Sequence, residues 1–275
     1  MTKVIWITGA TSGFGLAVTL KLLRETNHTI CISARSKDKL QWLNEQGAYT
    51  YRCDMSNYEQ IQQTVKGITS DHGRIDVVCC NAGYGVYGPI EAVPHDAMVK
   101  QFEVNVFGVA DCIREVLPQM RERRSGRIVL TSSSAAYVSS AGMGYYASTK
   151  HSIKAIGTAL RQEVKPFNIE VSMIEPGVVK TAFKDRAMEN QYVDSSPKDY
   201  QQKMQQVKRF MLKSMEKAPT VERTRNQMIH AILDDKPRAI YKSTASSHIL
   251  CNLSKWAPPK IYDTIINKGV EILSK

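Results

Sequence analysis

The sequence predicts an α/β fold: one domain built on a doubly wound parallel sheet of about seven strands, with helices on both faces. Two observations predict it. Short apolar runs alternate strictly with segments of helical periodicity from residue 4 to residue 174, a pattern typical of parallel sheets. The first run also leads directly into a glycine-rich turn and an amphipathic helix. Right-handed crossovers bring the loops that follow the strands to one edge of such a sheet, so we expect a ligand site there.

The first unit, residues 3–23, combines a strand, a glycine turn and a helix. Its strand, residues 4–7, is apolar throughout, and from Leu16 the apolar residues recur three or four positions apart, as on one face of a helix. Between them lie three glycines, Gly9, Gly13 and Gly15. We expect Gly9 to permit the tight turn and the other two to let a pyrophosphate reach backbone N–H groups at the positive end of the helix. A Cβ at any of the three would fill space that the ligand needs. An ordinary glycine-rich turn is the alternative.

The remaining elements follow in order along the chain. Strands are predicted at 29–34, 48–52, 75–80, 127–131, 169–174 and 239–242. Helices are predicted at 38–46, 57–70, 146–165, 200–215 and 220–233. The segment 95–124 is predicted to form two helices with a break near residues 105–108. We therefore expect residues 1–275 to form a single domain.

Residues 181–217 interrupt the alternation beside the expected ligand edge. They are polar and rich in Gln, Lys and Met, with larger apolar side chains that include Phe183, Met188, Tyr192, Met204 and Met211. We interpret this segment as a substrate lid, and a surface helix remote from any ligand is the alternative. The tail, residues 246–275, carries Trp256, two prolines and an apolar helix near Ile261. It could pack on the lid, on a partner subunit or on a membrane surface, and the sequence does not choose among them.

The charge of the chain is strongly positive, with a formal net charge of +11. Such a charge can attract nucleic acid, anionic membrane or phosphorylated small molecules. The lysines and arginines are scattered, however, and the densest group, residues 121–124, is short and interrupted. No recognition-helix, zinc-finger or RNA-binding signature is present. We expect a basic surface and no nucleic-acid partner.

The cysteine pattern and the chain start predict the compartment. The six cysteines include no C-x-x-C pair, and Cys31, Cys79 and Cys80 lie in strand-like runs, as expected for reduced and buried thiols. The first strand begins by Val4, which leaves no room for a signal peptide. No apolar run approaches the roughly 20 residues that span a bilayer. The six histidines lack metal-like spacing. We expect a cytoplasmic protein without a transmembrane segment or a metal.

Acid–base chemistry is predicted at the start of the helix at 146–165. Tyr146 and Lys150 are four residues apart, so phenol and ammonium share a helical face. A free phenol has a pKa of about 10, and a fixed positive charge beside it favours phenolate and lowers that pKa. Ser133 follows the fifth strand, at the same sheet edge, where its hydroxyl could bind a substrate oxygen. Two surface neighbours on a helix are the alternative for the Tyr–Lys pair alone.

These motifs, in this order and spacing, resemble the short-chain dehydrogenase/reductase family over roughly residues 3–242. The motifs that carry the resemblance are Thr8–Gly15, Asn81–Gly83, Asn105, Ser133, Tyr146 with Lys150, and Pro176-Gly177 followed by Thr181. The resemblance implies a Rossmann fold, a nicotinamide dinucleotide and oxidoreductase activity on a small carbonyl or alcohol substrate. Its layout is similar to the branch that contains hydroxysteroid and retinol dehydrogenases and acyl-dihydroxyacetone-phosphate reductases.

The resemblance also implies catalytic roles. Tyr146 would be the acid/base, and Ser133 would anchor the substrate oxygen. Lys150 would lower the pKa of Tyr146 and bind the nicotinamide ribose. Asn105 would hold the water of a proton relay through Lys150. A one-residue error among the three serines at 132–134 stays open, whereas Tyr146 is the only one of two adjacent tyrosines with a lysine four residues later.

The implied cofactor site gathers residues from several loops along the sheet edge. They are Gly9, Thr11, Ser12, Gly13, Phe14, Gly15, Arg35, Asp54, Met55, Asn81, Ala82, Gly83, Tyr146, Lys150, Pro176, Gly177, Val179 and Thr181. By resemblance, Asn81–Gly83 would line the adenine and ribose side, and Asp54 with Met55 would flank the adenine. Val179 and Thr181 would hold the carboxamide.

The choice of dinucleotide depends on Arg35, twenty residues after Gly15. An acidic residue at about this distance accepts the ribose 2′-OH of NAD, whereas a guanidinium pairs with a 2′-phosphate. Ser12 could add a hydroxyl to the same phosphate. Asp38 competes, but it lies three residues further on and is expected to open a helix. The sequence predicts NADP(H).

Three functions are compatible with these motifs. The favoured one is an NADP(H)-dependent carbonyl reductase or alcohol dehydrogenase with a hydrophobic substrate. A sugar-nucleotide epimerase or dehydratase is disfavoured by the glycine spacing, which is three residues and then one. A non-catalytic cofactor-binding protein is disfavoured by the complete catalytic set. By analogy, helices near 106–124 and 147–165 predict a homodimer or homotetramer, and peripheral membrane contact of the tail stays open.

Overall fold

Seven parallel strands form the sheet at the centre of the molecule, in the order β3-β2-β1-β4-β5-β6-β7. The computed structural model describes residues 2–183 and 189–274. The strands are β1 (Val4–Thr8), β2 (Thr29–Ala34), β3 (Tyr49–Arg52), β4 (Val77–Cys80), β5 (Gly126–Thr131), β6 (Ile169–Glu175) and β7 (Ile240–Lys242). All six pairings are parallel. The predicted fold class is confirmed. Met188, which was interpreted as part of the lid, lies outside the described residues.

The helices lie on both faces of this sheet. They are α1 (Gly13–Glu25), α2 (Lys37–Glu45), α3 (Tyr58–His72), α4 (His95–Phe102), α5 (Gly108–Glu122), α6 (Gly144–Val164), α7 (Lys198–Glu216), α8 (Glu222–Leu233), α9 (Ala245–Trp256) and α10 (Pro259–Ser274). Short 3₁₀ turns occupy Ser134–Ala136 and Lys165–Phe167. Most predicted elements are present with ends shifted by a few residues.

Alternation along the strands divides the core into two layers. In β1, Val4 and Trp6 pack with α3, α5 and α6 on one face, whereas Ile5 and Ile7 pack with α1, α2 and α8 on the other. Every residue of β1 is buried, as expected for a strand covered on both faces. The buried sheet therefore positions the loops that carry the site.

The strand order reverses beside β1, because β2 and β3 lie on one side of it and β4 to β7 on the other. In open parallel sheets, ligands bind at such a switch point, outside the carboxyl ends of the strands. The glycine turn follows β1, and Asn81–Gly83 follows β4. Both predicted loops therefore flank the same crevice.

The predicted break near residues 105–108 is wrong. The helix does not stop: α4 passes through a π-helical turn, Glu103–Phe107, directly into α5. A π turn widens the helix by one residue and keeps backbone hydrogen bonds, and such turns often lie at functional sites. Gly108 fits this path because a Cβ there would lie 2.0 Å from the carbonyl oxygen of Met55.

The tail packs on α7, within the segment interpreted as a lid, which is one of the three options that the sequence left open. Val270 of α10 lies in one apolar cluster with Met204, Val207 and Met211 of α7. Tyr262 exchanges two hydrogen bonds of 3.0 Å with the backbone N–H and carbonyl of Ser139. None of the helices within the described ranges combines the length and apolar composition that a membrane crossing requires.

Candidate active site

The glycine turn is shaped mainly by contacts within the protein. Gly9 and Gly13 have positive φ angles of 65° and 54°, which glycine adopts without steric cost. A Cβ on Gly9 would lie 2.7 Å from the Cα of Ala82, and one on Gly15 would lie 2.6 Å from Nδ2 of Asn81. The expectation that a Cβ at either position would fill ligand space is therefore corrected: the neighbouring loop occupies that space. Of the three, Gly13 alone lacks such a close neighbour.

Asn81 ties the loop after β4 to this turn. Its backbone N–H and that of Ala82 both donate to Oγ1 of Thr8, each at 3.0 Å. Its side-chain amide donates to the carbonyls of Thr8 and Gly9 at 3.1 and 3.3 Å. The two loops that flank the crevice thus form one unit, in which Thr8 is a structural residue that the sequence interpretation did not single out.

The start of α1 offers donors to an anion. The first helical backbone bond runs from Leu16 to the carbonyl of Ser12. Among the described residues, the N–H groups of Gly13, Phe14 and Gly15 have no acceptor, as is general at a helix start. The hydroxyl of Ser12 makes no capping bond. These donors, at the positive end of the helix and beside an open Gly13, fit a dinucleotide pyrophosphate.

Tyr146, Lys150 and Ser133 come together at the other side of the crevice. The hydroxyl of Ser133 lies close enough to the phenol of Tyr146 to lower its pKa. Nζ of Lys150 lies 5.8 Å from the centre of the Tyr146 ring and donates to the carbonyl of Thr131 at 2.9 Å. Of the three adjacent serines, Ser133 alone makes the contact with the phenol, whereas the hydroxyl of Ser132 is buried without a partner in the described part of the chain.

Burial controls the ionisation of this pair. It raises the pKa of Tyr146 to about 12, and the nearby hydroxyl of Ser133 opposes that rise. It also lowers the pKa of Lys150 to about 8. In the protein alone, removal from water therefore dominates over the downward shift that Lys150 was expected to impose, and the phenol holds its proton near neutral pH.

The π turn positions Asn105 behind Lys150. Its Oδ1 accepts from the backbone N–H of Tyr84 at 3.0 Å, and its Nδ2 donates to the carbonyl of Tyr84 at 2.8 Å and to Oγ1 of Thr149 at 3.2 Å. A Cβ on Gly83 would lie 3.1 Å from Oδ1 of Asn105 and 3.8 Å from Nζ of Lys150. The side-chain amide of Asn105 is thus committed to holding the loop after β4 against α6.

The loop that carries Ser133 is clamped to the end of β6. The N–H of Ser134 donates to the carbonyl of Pro176 at 2.8 Å, and the hydroxyl of Tyr137 donates to Oε1 of the fully buried Glu175 at 3.0 Å. Gly177 follows and donates its N–H to Oγ1 of Thr244 at 3.1 Å. These bonds fix the positions of the two loops on either side of the phenol. The sequence interpretation missed Glu175 and Tyr137.

Two aromatic rings enclose Tyr146. Tyr87 is buried, and its ring centre lies 5.9 Å from that of Tyr146; the ring of Phe183 lies at 5.7 Å on another side. Met143 and Phe183 pack directly with Tyr146. The sequence interpretation missed Tyr87, although its place between Gly85 and Gly88, just after β4, was a signal for an aromatic loop at the ligand edge.

The predicted cofactor residues on the other loops also face the crevice edge. Arg35 follows β2 directly, is exposed, and lies close enough to Asp54 to lower its pKa. Burial raises the pKa of Asp54, but hydrogen bonds from Ser56 and the charges of Lys100 and Arg35 outweigh it, and the net shift is downward. Met55 is buried against the start of α5.

The segment after β6 approaches the glycine turn. The methyl-bearing Cβ of Thr181 lies 3.6 Å from where a Cβ on Gly13 would be. Oγ1 of Thr181 accepts the N–H of Phe183 at 3.2 Å. Val179, which lies between Pro176 and Thr181 in the chain, is half-buried. The structure therefore brings the first and last predicted cofactor segments together. Within the described ranges, no group of three or more His, Cys, Asp or Glu side chains could ligate a metal.

A family model corresponds to this combination of fold and site. The model of the short chain dehydrogenases matches residues 3–192. This chain belongs to the short-chain dehydrogenase/reductase family. It is accordingly an oxidoreductase of a family that uses a nicotinamide cofactor.

Relatives match this short-chain dehydrogenase over nearly its full length. It is 30% identical over 259 residues to the probable short-chain type dehydrogenase/reductase VdlC of Helicobacter pylori, covering 94% of each chain. It is 28% identical over 280 residues to the NADPH-dependent 3-dehydrocapnine reductase of Ornithobacterium rhinotracheale, covering 98% of each. A short-chain dehydrogenase structure from Streptomyces avermitilis superposes with a TM-score of 0.80 at 26% identity, covering 92% of this chain and 96% of that one.

Solved structures of the same fold hold either dinucleotide. A Burkholderia phymatum enzyme in complex with NAD superposes with a TM-score of 0.80 at 23% identity, covering 92% of each chain. ElxO with NADP bound superposes at 0.74 and 21% identity, covering 90% of this chain and all of that one (100%). The fold alone therefore does not select between NAD and NADP.

Proposed function

We propose that this short-chain dehydrogenase is an NADP(H)-dependent oxidoreductase that interconverts a carbonyl and an alcohol on a hydrophobic small molecule. The observation that carries the proposal is the buried Tyr146, which lies beside Ser133 and Lys150, together with the uncapped start of α1, whose donors would suit an anion. Ser133, Tyr146 and Lys150 keep their proposed catalytic roles within this reaction.

In the proposed reaction, each catalytic side chain acts on the substrate oxygen or on its proton. Ser133 hydrogen-bonds the substrate oxygen and orients the carbonyl. Tyr146 donates its proton to that oxygen during reduction and removes it during oxidation. The high pKa of the buried phenol keeps it protonated for reduction. NADP(H), when bound, supplies or accepts the hydride. Lys150 provides the nearby positive charge that favours the phenolate formed after transfer.

The preference for NADP(H) rests on Arg35 and Ser12. Arg35 is exposed at the end of β2, where a carboxylate would select NAD, and its guanidinium suits a 2′-phosphate. The Ser12 hydroxyl is free of the capping bond that such a position often makes. Asp38 lies in the first turn of α2, as predicted, where it favours the helix dipole. The name of the Ornithobacterium relative, an NADPH-dependent reductase, agrees with this preference.

A hydrophobic substrate is supported by the side chains around the phenol. Tyr87 and Phe183 flank Tyr146, and the adjoining lid cluster is built from Val193, Met204, Val207 and Met211. Burial of apolar substrate area against these side chains would supply most of the binding energy.

The test is oxidation of NADPH, followed by absorbance, against a panel of ketones, aldehydes and quinones, with NADH in parallel. Turnover that requires NADPH is expected from the wild-type protein and loss of at least about a thousandfold from Tyr146→Phe. Tyr145→Phe is the matched control, because its neighbouring phenol donates to the carbonyl of Ile90, away from Ser133. Its activity should stay within about twofold of the wild type.

Three outcomes discriminate the alternatives. Equal loss in both tyrosine variants would contradict the role of Tyr146. Tight NADPH binding with no turnover across a broad panel would favour a non-catalytic cofactor-binding protein. Turnover of a sugar nucleotide without net NADPH consumption would favour an epimerase. A homodimer or homotetramer and a cytoplasmic location stay predictions, which size-exclusion chromatography with light scattering and fractionation test directly.

A further inference from the structure

The exposed large apolar side chains are concentrated in the two C-terminal helices. Of the fourteen such residues in the described ranges, six lie in α9 and α10. They are Ile249 (68% exposed), Trp256 (76%), Ile261 (54%), Ile265 (44%), Ile272 (66%) and Leu273 (54%). Isolated exposed apolar residues are ordinary, but a contiguous set marks an interaction site.

On α10 these residues form one stripe. At about 100° per residue, Ile261, Ile265 and Ile272 fall within about 40° of one another. Val270 lies about 180° from Ile261, and it is buried against the lid helix α7. The helix therefore has two apolar faces, and the tertiary structure covers only the inner one.

The same arrangement is present on α9. Ile249 and Trp256 are seven residues apart and fall within about 20° of one another, whereas Ser247 and Cys251 lie on the opposite side and are buried. The outward faces of the two helices, joined by a short connection at residues 257–258, together form what we call the tail stripe: Ile249, Trp256, Ile261, Ile265 and Ile272.

Positive charge accompanies the tail stripe. Lys268 lies within it, between Ile265 and Ile272 on the same face of α10. Nζ of Lys255 lies 5.1 Å from the Trp256 ring. Helix α9 contains no acidic residue. Of the two acidic residues of α10, Asp263 is on the opposite side from the stripe, whereas the exposed Glu271 lies at its edge, about 80° from Ile261. The net charge of +11 acts in the same direction at longer range.

We propose that the tail stripe docks the protein on the surface of membranes that carry anionic lipids. Exposed aliphatic residues, an indole and neighbouring lysines are typical of amphipathic helices that lie in the lipid interface, about 5–10 Å deep. The lysine stems can bury among lipids while their amines reach anionic headgroups. In a pairing with a second copy of this chain, Lys268 and Lys255 would bring like charges to a desolvated interface, which disfavours that occupant.

Docking would also orient the lid. The inner face of α10 packs on α7, whose cluster includes Tyr87 beside Tyr146. A membrane bound to the outer face would lie on the far side of α10 from this cluster. The inference goes beyond the proposed reaction and does not rest on it, because binding can be measured without cofactor or substrate.

The experiment measures binding of the full chain to vesicles by co-sedimentation, with phosphatidylcholine alone or with added phosphatidylserine. We expect binding to the anionic vesicles, weakened by salt, and at least about tenfold weaker binding to the neutral ones. The triple variant Ile261→Ser/Ile265→Ser/Ile272→Ser should lose at least about tenfold in binding to anionic vesicles. Circular dichroism verifies that it folds.

A matched pair of tryptophan variants distinguishes the tail stripe from other exposed apolar side chains. Trp256→Ser should weaken binding, whereas Trp42→Ser, which removes an indole 44% exposed on α2, should not. In a Trp42→Phe background, fluorescence of Trp256 should shift to the blue on anionic vesicles, since Trp6 is already buried. Lys255→Glu/Lys268→Glu should abolish the preference for anionic lipid.

The proposal is overturned if the wild type does not bind anionic vesicles, or if the stripe variants bind as well as Trp42→Ser. It is equally overturned if the wild type binds neutral and anionic vesicles alike. A concentration-dependent dimer that the triple variant abolishes, without vesicle binding, would assign the face to a second copy. Activity on a water-soluble ketone is measured separately, so failure here is distinguishable from failure of the proposed reaction.

Discussion

Two ionisable side chains at the site are held away from water, and they affect the protein in different pH ranges. Burial raises the pKa of Tyr146 from 10.0 to about 12 and lowers that of Lys150 from 10.5 to about 8. Both shifts favour the neutral form. Near neutral pH the phenol is uncharged in the folded and unfolded chain alike, so only Lys150 changes the free energy of unfolding there.

Lys150→Met is expected to be inactive and more stable than the wild type at pH 7. Below pH 8 the folded protein holds Lys150 as a charged, buried amine. The full cost of removing that charge from water then lowers the free energy of unfolding. Between pH 8 and 10.5 the unfolded chain still binds the proton that the folded chain has lost, so wild-type stability rises with pH relative to the variant. After loss of the bond to Thr131, the advantage of the variant at pH 7 should be about 2 kcal/mol.

Urea unfolding at pH 7 and pH 10 measures this difference. Lys165→Met, at an exposed position just after the same helix, is the control and should show no such pH dependence. A stability difference between Lys150→Met and the wild type that stays constant from pH 7 to pH 10 would contradict the burial cost.

Arg35 is expected to determine cofactor preference. Arg35→Ala should lower kcat/KM with NADPH by about ten- to a hundredfold and leave the value with NADH nearly unchanged, since a charge-assisted hydrogen bond contributes about 1.5–3 kcal/mol. Lys37→Ala, two residues later on the exposed start of α2, is the control. An unchanged ratio of the two values in Arg35→Ala would show that another group selects the dinucleotide.

Among the elements, the lid and the tail behave as one unit. Helix α10 covers α7, and α7 in turn packs near Tyr87 at the phenol. The segment at residues 189–193 is also attached to the loop after β4, because the N–H of Tyr87 donates to the carbonyl of Asn190 and the N–H of Tyr192 to that of Tyr87. The substrate side of the site is thus built from segments distant in sequence.

Val270→Ala is expected to loosen the lid. Removing two methyl groups from the buried face of α10 should cost about 2 kcal/mol and raise the KM for a bulky apolar substrate more than it lowers kcat. Urea unfolding and amide exchange of α7 measure the effect. Ile265→Ala, on the exposed face of the same helix, should change stability by less than about 0.5 kcal/mol. Equal effects of the two variants would mean that the packing of α10 on α7 is not maintained in solution.

At the scale of the whole molecule, the two-layer core encloses five of the six thiols, and Cys251 lies in α9. All six cysteines are free and buried. Burial raises the pKa of Cys31 to about 12 and shifts those of Cys79 and Cys112 further upward. Because the thiolate is the reactive form, these side chains are inert in the folded protein.

The native protein is therefore expected to react with a thiol reagent such as DTNB at fewer than one site per chain within minutes at pH 8. In denaturant all six thiols should react. Fast labelling of one thiol in the native protein, identified by mass spectrometry, would reveal an opening of the layer that contains it. Cys251, on the buried face of the tail helix α9, is the informative position, since detachment of the tail would expose it.

The amino-acid sequence by itself determined the fold class, the order of the elements and the edge of the sheet that carries the site. It could do so because periodicity, glycine turns and the Tyr146–Lys150 spacing are local properties. Only the tertiary structure decided four other features. They are the close contacts of the glycines, the continuity of α4 into α5, the enclosure of the phenol by Tyr87 and the packing of the tail on α7. Each depends on contacts between segments far apart in the chain, such as Gly15 against Asn81 and Val270 against α7. A local sequence pattern does not show which distant surfaces come into contact, because burial and packing are determined only when the whole core assembles.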